Sequence, residues 1–101
     1  MAKFNYHGCD NAESATAKVI STSTYDYSKD VTFFGNLEDA IKSYSISVKV
    51  DEAAKFSLHY YEIYVKDQDT NKWVEIEVSD EVIESIWASS AVNPANKPVT
   101  R

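Results

Sequence analysis

Between residues 57 and 78 two strand-like runs dense in apolar side chains flank the polar stretch 67–71 (DQDTN). Two runs rich in Tyr, Val, Ile and Trp flanking a turn-forming segment of this length predict a β-hairpin, with strands over 57–66 and 72–78. Immediately afterwards the pattern changes. Ser79 can cap a helix whose first turn carries Asp80 and Glu81, and Val82, Ile83, Ile86 and Trp87 then fall on one stripe. Earlier in the chain, residues 18–27 are dense in β-branched and aromatic side chains. The segment Ser28, Lys29, Asp30 separates them from Val31, Thr32, Phe33 and Phe34, which predicts a first hairpin.

Gly35 and Asn36 punctuate the chain next, and Leu37, Ala40, Ile41 and Tyr44 recur at helical spacing behind an Asn36 cap. The end of that helix reads two ways. Val48 continues the helical stripe, but Tyr44, Ile46, Val48 and Val50 also alternate with polar neighbours, and the favoured reading is a short helix followed by a strand. Asp10 and Glu13 have the spacing of a capping box, predicting a short helix near the start. The tail over 92–101, with Pro94 and Pro98, is expected to be irregular. Together these elements predict an α+β fold in one domain spanning 1–101. Its mainly antiparallel sheet would consist of two hairpins plus an additional strand, with two or three short helices.

Composition narrows the function classes. A chain of 101 residues, 44% hydrophobic and with 13% aromatics, is large and apolar enough to bury a core and too aromatic for the disordered class. With Cys9 as the single cysteine no internal disulfide can form, no apolar run reaches the roughly 18 residues of a membrane span, and the first residues lack a secretory h-region. A soluble, cytoplasmic protein without a membrane partner is therefore expected. The formal charge of −6 disfavours direct nucleic-acid binding, which draws its free energy from Lys and Arg.

That charge is localised. Within residues 67–84, Asp67, Asp69, Glu75, Glu77, Asp80, Glu81 and Glu84 face only Lys72, a balance equal to the net charge of the whole chain. Strand alternation in the second hairpin turns Val74, Ile76 and Val78, with Tyr61, Ile63 and Val65, toward the core. Tyr60, Glu62 and Tyr64 then share the outer face with Trp73, Glu75 and Glu77, a mixture of aromatics and carboxylates that continues onto Asp80, Glu81 and Glu84. Solvated carboxylates are ordinary on any surface. Their concentration beside Tyr and Trp, residues enriched at interface hot spots, points instead to a partner-binding surface.

Catalytic and metal chemistry is poorly represented. His7, Cys9, Asp10 and His59 lack the paired spacing of structural zinc sites, and Cys9 reads as a small buried hydrophobe. A nucleophilic pair of Cys9 with His59 would require the fold to bring them together. There is no G-x-S-x-G elbow, and two glycines, Gly8 and Gly35, cannot build a phosphate-cradling loop. The chain is accordingly read as non-enzymatic, with no cofactor and no metal.

In size, compactness, the strand-to-helix junction FGNLEDAI over 34–41 and the carboxylates of 67–84, the chain resembles the small acidic proteins that phages encode against host defences. These include anti-CRISPR proteins and DNA-mimicking antirestriction proteins. The resemblance implies stoichiometric inhibition, without catalysis, by occupying a basic nucleic-acid-binding site on a host nuclease or surveillance complex. On this reading Tyr60, Glu62, Tyr64, Asp67, Asp69, Trp73, Glu75, Glu77, Asp80, Glu81 and Glu84 bind the partner, and the protein is a monomer or homodimer. The alternative is a non-enzymatic assembly module that self-associates through an exposed strand edge or the stripe through Trp87.

Overall fold

A computed structural model describes residues 2–54 and 59–96. The chain is α+β: a five-stranded mixed sheet with helices on one face. In chain order the elements are β1 (Ala2–His7), β2 (Ala17–Ser23), β3 (Lys29–Phe34), α1 (Leu37–Ala53), β4 (His59–Lys66), β5 (Trp73–Ile76) and α2 (Asp80–Ser89). The sheet order is β1-β3-β2-β4-β5, with β1 parallel to β3 and every other pairing antiparallel.

Antiparallel hairpins form as β2–β3 and β4–β5, and pairing of β2 with β4 joins them into one sheet. The first hairpin turns earlier than expected: β2 ends at Ser23, residues 24–28 make the turn, closed by hydrogen bonds from the Ser23 N–H to the Ser28 carbonyl and from the Tyr27 N–H to the Ser23 carbonyl, and Lys29 and Asp30 belong to β3 instead of separating the strands. The second hairpin keeps the expected register, Tyr64 opposite Glu75 and Val65 opposite Val74, although its second strand stops at Ile76. Residues 57 and 58 of the expected strand lie outside the described residues.

The additional strand is not where the alternation in 44–50 placed it. That segment is helical, because α1 runs unbroken over 17 residues to Ala53. Its buried stripe takes in Leu37, Ala40, Ile41, Tyr44 and Ser45, and a helix satisfies its own backbone hydrogen bonds without requiring a sheet edge. The fifth strand is instead β1, which pairs with β3 at the sheet edge. Around Asp10 a turn replaces the expected helix: Asn11 Oδ1 accepts from the Ser14 N–H at 2.9 Å. The Asn36 cap does form, accepting from the Asp39 N–H at 2.8 Å, and Ser79 caps α2 by accepting from the Val82 N–H. In the tail, Pro94–Asn96 form a 3₁₀ turn, and residues 97–101 lie outside the described set.

α1 packs across β2, β3 and β4, and α2 packs against α1. The main core lies beneath α1, where Ala17, Val19, Phe34, Ala40 and Ile63 are buried together and Leu37, Ile41, Tyr44, Ile76 and Val78 close around them. Val74 points to this side but is left exposed on the edge strand, whereas Ile76 of the same strand packs against the core. On the opposite side a smaller cluster of Ala15, Val31 and Phe33 forms where the 8–16 loop folds over one end of the sheet.

Candidate functional site: the helix-free face of the sheet

The face away from the helices is assembled by register. Cross-strand neighbours place Tyr6 of β1, Phe33 of β3, Lys18 of β2, Tyr64 of β4 and Glu75 of β5 in one row. At about 4.8 Å per strand, that row is roughly 19 Å long. A second row runs Phe4, Val31, Ile20, Glu62. Among the described residues no helix or strand covers these side chains, although Cys9, Ala12 and Ala15 from the 8–16 loop lie against the Trp73 end.

Ring contacts turn the rows into an aromatic platform. Phe33 stacks with Tyr6 at 5.4 Å and with Phe4 at 6.3 Å, and Trp73 tilts against it at 6.0 Å. Phe33 itself is buried, whereas Phe4, Tyr6 and Tyr60 are exposed.

Two lysines sit among the rings. Lys18 Nζ lies 4.6 Å from the Trp73 centroid, 5.2 Å from Tyr64 and 6.0 Å from Phe33, and Lys66 Nζ lies 5.0 Å from Trp73. Ring quadrupoles attract such cations. Burial nevertheless holds the Lys18 ammonium below its ordinary pKa, and the charge of Lys66 adds to the effect. Lys66 is only 8% exposed and donates to the carbonyls of Ala12 and Glu13 at 2.8 and 2.9 Å, fastening the loop to the sheet. Lys66 is thus buried and Lys18 half-buried, whereas Glu75 and Glu77 at the β5 edge are exposed.

The carboxylates form a rim at the β5 edge. Glu75 is exposed opposite Tyr64, and Glu62 accepts from the Tyr64 hydroxyl at 2.9 Å. That hydrogen bond, with lesser contributions from burial and from the charges of Glu62 and Glu75, pushes the Tyr64 phenol up to about 12. At the end of β5, Glu75, Glu77, Tyr44 and Tyr61 line a polar groove of about 300 Å³. The Tyr44 phenol is raised by burial first, then by Glu75, Glu77 and Asp80. Negative charge therefore passes around the sheet edge from Glu75 to the start of α2.

The expected site residues divide into four groups. Tyr60, Glu62, Tyr64, Trp73 and Glu75 share the helix-free face, and Glu77 lies at its corner. Asp80, Glu81 and Glu84 belong to α2 on the helical side, where Glu84 pairs with Lys49. Asp67 organises the β4–β5 turn, its carboxylate accepting from the N–H groups of Asp69 and Thr70, and Asp69 is exposed in that turn. Phe4, Tyr6, Phe33, Lys18 and Lys66 were missed. The alternation of Phe4 and Tyr6 was the available sign of a strand in which both rings share a face.

Among the described residues no three His, Cys, Asp or Glu side chains are grouped to hold a metal ion. His7 lies 3.6 Å from Asp39 and His59 3.8 Å from Asp51. Cys9 follows the end of β1 that pairs with Phe34, whereas His59 pairs with Ser23 at the other end of the sheet, about 20 Å away by strand rise. No helix among the described residues is long and apolar enough to cross a membrane. Comparison with protein families, with curated proteins and with solved structures finds no match for this chain.

Proposed function

We propose that this chain is a non-catalytic, protein-binding inhibitor that lays its aromatic sheet face and acidic β5 rim onto a basic, nucleic-acid-binding surface of a partner protein. The observation that carries this reading is the platform of Phe4, Tyr6, Tyr60 and Tyr64, covered by no helix among the described residues and bounded on the β5 side by Glu62, Glu75 and Glu77. Rigid aromatic area supplies binding free energy at small entropic loss, and rim carboxylates select and steer a basic partner. Glu75 at the end of β5 and Glu77 just beyond it set two exposed carboxylates side by side at the sheet edge, negative charge able to take the place of phosphates in a basic groove.

The division of the acidic residues between two faces supplies the test. Glu75→Lys with Glu77→Lys reverses the rim, whereas Glu81→Lys with Glu84→Lys reverses the outer helix and leaves the platform intact. Partners are captured from a lysate of the source cell at low and high salt and identified by mass spectrometry. The wild type and the helix variant should retain a nucleic-acid-handling protein that the rim variant loses and that high salt releases. Equal capture by a folded rim variant would remove the proposal.

A further inference from the structure

The outer edge of β1 is an unprotected strand edge. Among the described residues no strand pairs with it, and Ala2–His7 holds no proline and one charged residue, Lys3. Proline, bulges and several lysines are the usual guards of such an edge. Both aromatic rings of the strand are open to solvent, Phe4 at 56% and Tyr6 at 49%.

The direction of the backbone groups follows from one hydrogen bond. Gly35 N–H donates to the His7 carbonyl at 2.9 Å, so His7 faces β3. Alternation along a parallel strand turns Lys3 and Asn5 the same way, and the N–H and C=O groups of Ala2, Phe4 and Tyr6 away from the sheet.

We propose that this edge pairs with β1 of a second copy of the chain, antiparallel about a two-fold axis at Phe4, to form a continuous ten-stranded sheet. In that register Phe4 opposes Phe4 of the second copy, and Tyr6 opposes Ala2. All three outward-facing residues then exchange backbone hydrogen bonds, and each opposed pair shares a face. A register centred on Asn5 would leave Ala2 opposite Gly8, which lies beyond the strand at φ +72°.

Charge decides between the two free edges. Pairing through β5 would bring the Glu75 and Glu77 rims of two chains together, and each chain carries −6. Pairing through β1 places the two β5 edges about nine strand spacings apart, roughly 43 Å. That is several times the Debye length of about 8 Å at physiological ionic strength, so the acidic rims do not oppose assembly. β1 also offers six residues against the four of β5. The dimer joins two aromatic platforms across the axis, and its formation does not depend on the partner proposed above.

The test is sedimentation velocity over a concentration series, combined with disulfide trapping. The wild type should move from monomer to dimer mass as concentration rises. Phe4→Lys, which sets like charges on the axis, should remain monomeric with an unchanged far-UV circular dichroism spectrum. Opposed hydrogen-bonded residues have Cα atoms about 5.5 Å apart, within disulfide range. Phe4→Cys in a Cys9→Ser background should therefore cross-link under mild oxidation, while Tyr25→Cys, on the exposed β2–β3 loop, should not. A wild type monomeric at every concentration, a folded Phe4→Lys variant that still dimerises, or equal trapping at positions 4 and 25 would each overturn the proposal.

Discussion

Gly35→Ala tests how the platform's outer strand is held. A Cβ built on Gly35 would lie 2.1 Å from the Gly8 carbonyl oxygen and 2.8 Å from its carbonyl carbon. Even a close C–H···O contact sits at about 3.3–3.6 Å, so one backbone must retreat by roughly 1.2 Å or more. No flexible side chain is available to yield. The retreat also stretches the hydrogen bond from Gly35 N–H to the His7 carbonyl, which closes the β1–β3 ladder. Overpacking of this kind costs about 1–3 kcal/mol and a lost hydrogen bond about 1 kcal/mol more. The expected destabilisation is therefore about 2–4 kcal/mol, a large share of the 5–15 kcal/mol typical of a domain. For a domain of this size it corresponds to a fall in Tm of roughly 8–30 °C.

The assay is urea unfolding followed by far-UV circular dichroism, with amide exchange to locate the damage. Exchange should quicken first in β1, because the clash lies where that strand ends. Gly8→Asn is the control: its nearest atoms are 3.7 Å away, and Asn tolerates the positive φ better than Ala. If Gly35→Ala falls within about 0.5 kcal/mol of wild type, the change expected of an ordinary surface substitution, the close approach does not hold β1 in place.

Two further predictions concern the platform. Lys66→Met keeps the stem but removes the donors to Ala12 and Glu13, so stability should fall by about 1–3 kcal/mol and the Cys9 thiol in the freed loop should react faster with a thiol reagent; unchanged labelling would show that the lysine does not fasten the loop. Tyr64 has a folded pKa near 12 against an ordinary value of 10, so its contribution to stability is complete below about 10 and is lost as pH rises toward 12, because the unfolded chain ionises first. Tyr64→Phe should decline less steeply than wild type in urea midpoints measured at pH 9, 10 and 11, and identical slopes would argue against the Glu62 hydrogen bond as the cause.

Much of the local structure was legible because it depends on neighbours in sequence. The polar segment 67–71 placed the second hairpin, and alternation assigned Tyr64 and Glu75 to one face and Ile63 to the core, where it is 1% exposed. Asn36 and Ser79 announced their helices because a cap is a bond within one turn. The segment 44–50 was not legible, since its apolar positions suit both periods. There the packing of Leu37, Ile41 and Tyr44, one helical stripe, onto the core of Ala17, Val19, Phe34 and Ile63 favours the helix.

The sequence by itself determined the hairpins, the caps, the concentration of carboxylates in 67–84 and the sorting of strand side chains into two faces. Only the tertiary structure decided what those faces became. Parallel pairing of β1 with β3 carried Phe4 and Tyr6 beside Phe33, and β2–β4 pairing set Lys18 next to Tyr64. Packing of both helices on the other side left this face, among the described residues, to the 8–16 loop, and it separated Glu75 from Glu81 and Glu84. The physical reason is the range of the interactions. Turns and caps are settled within a few residues, whereas strand order and helix placement depend on burial between segments that come together only in the folded chain.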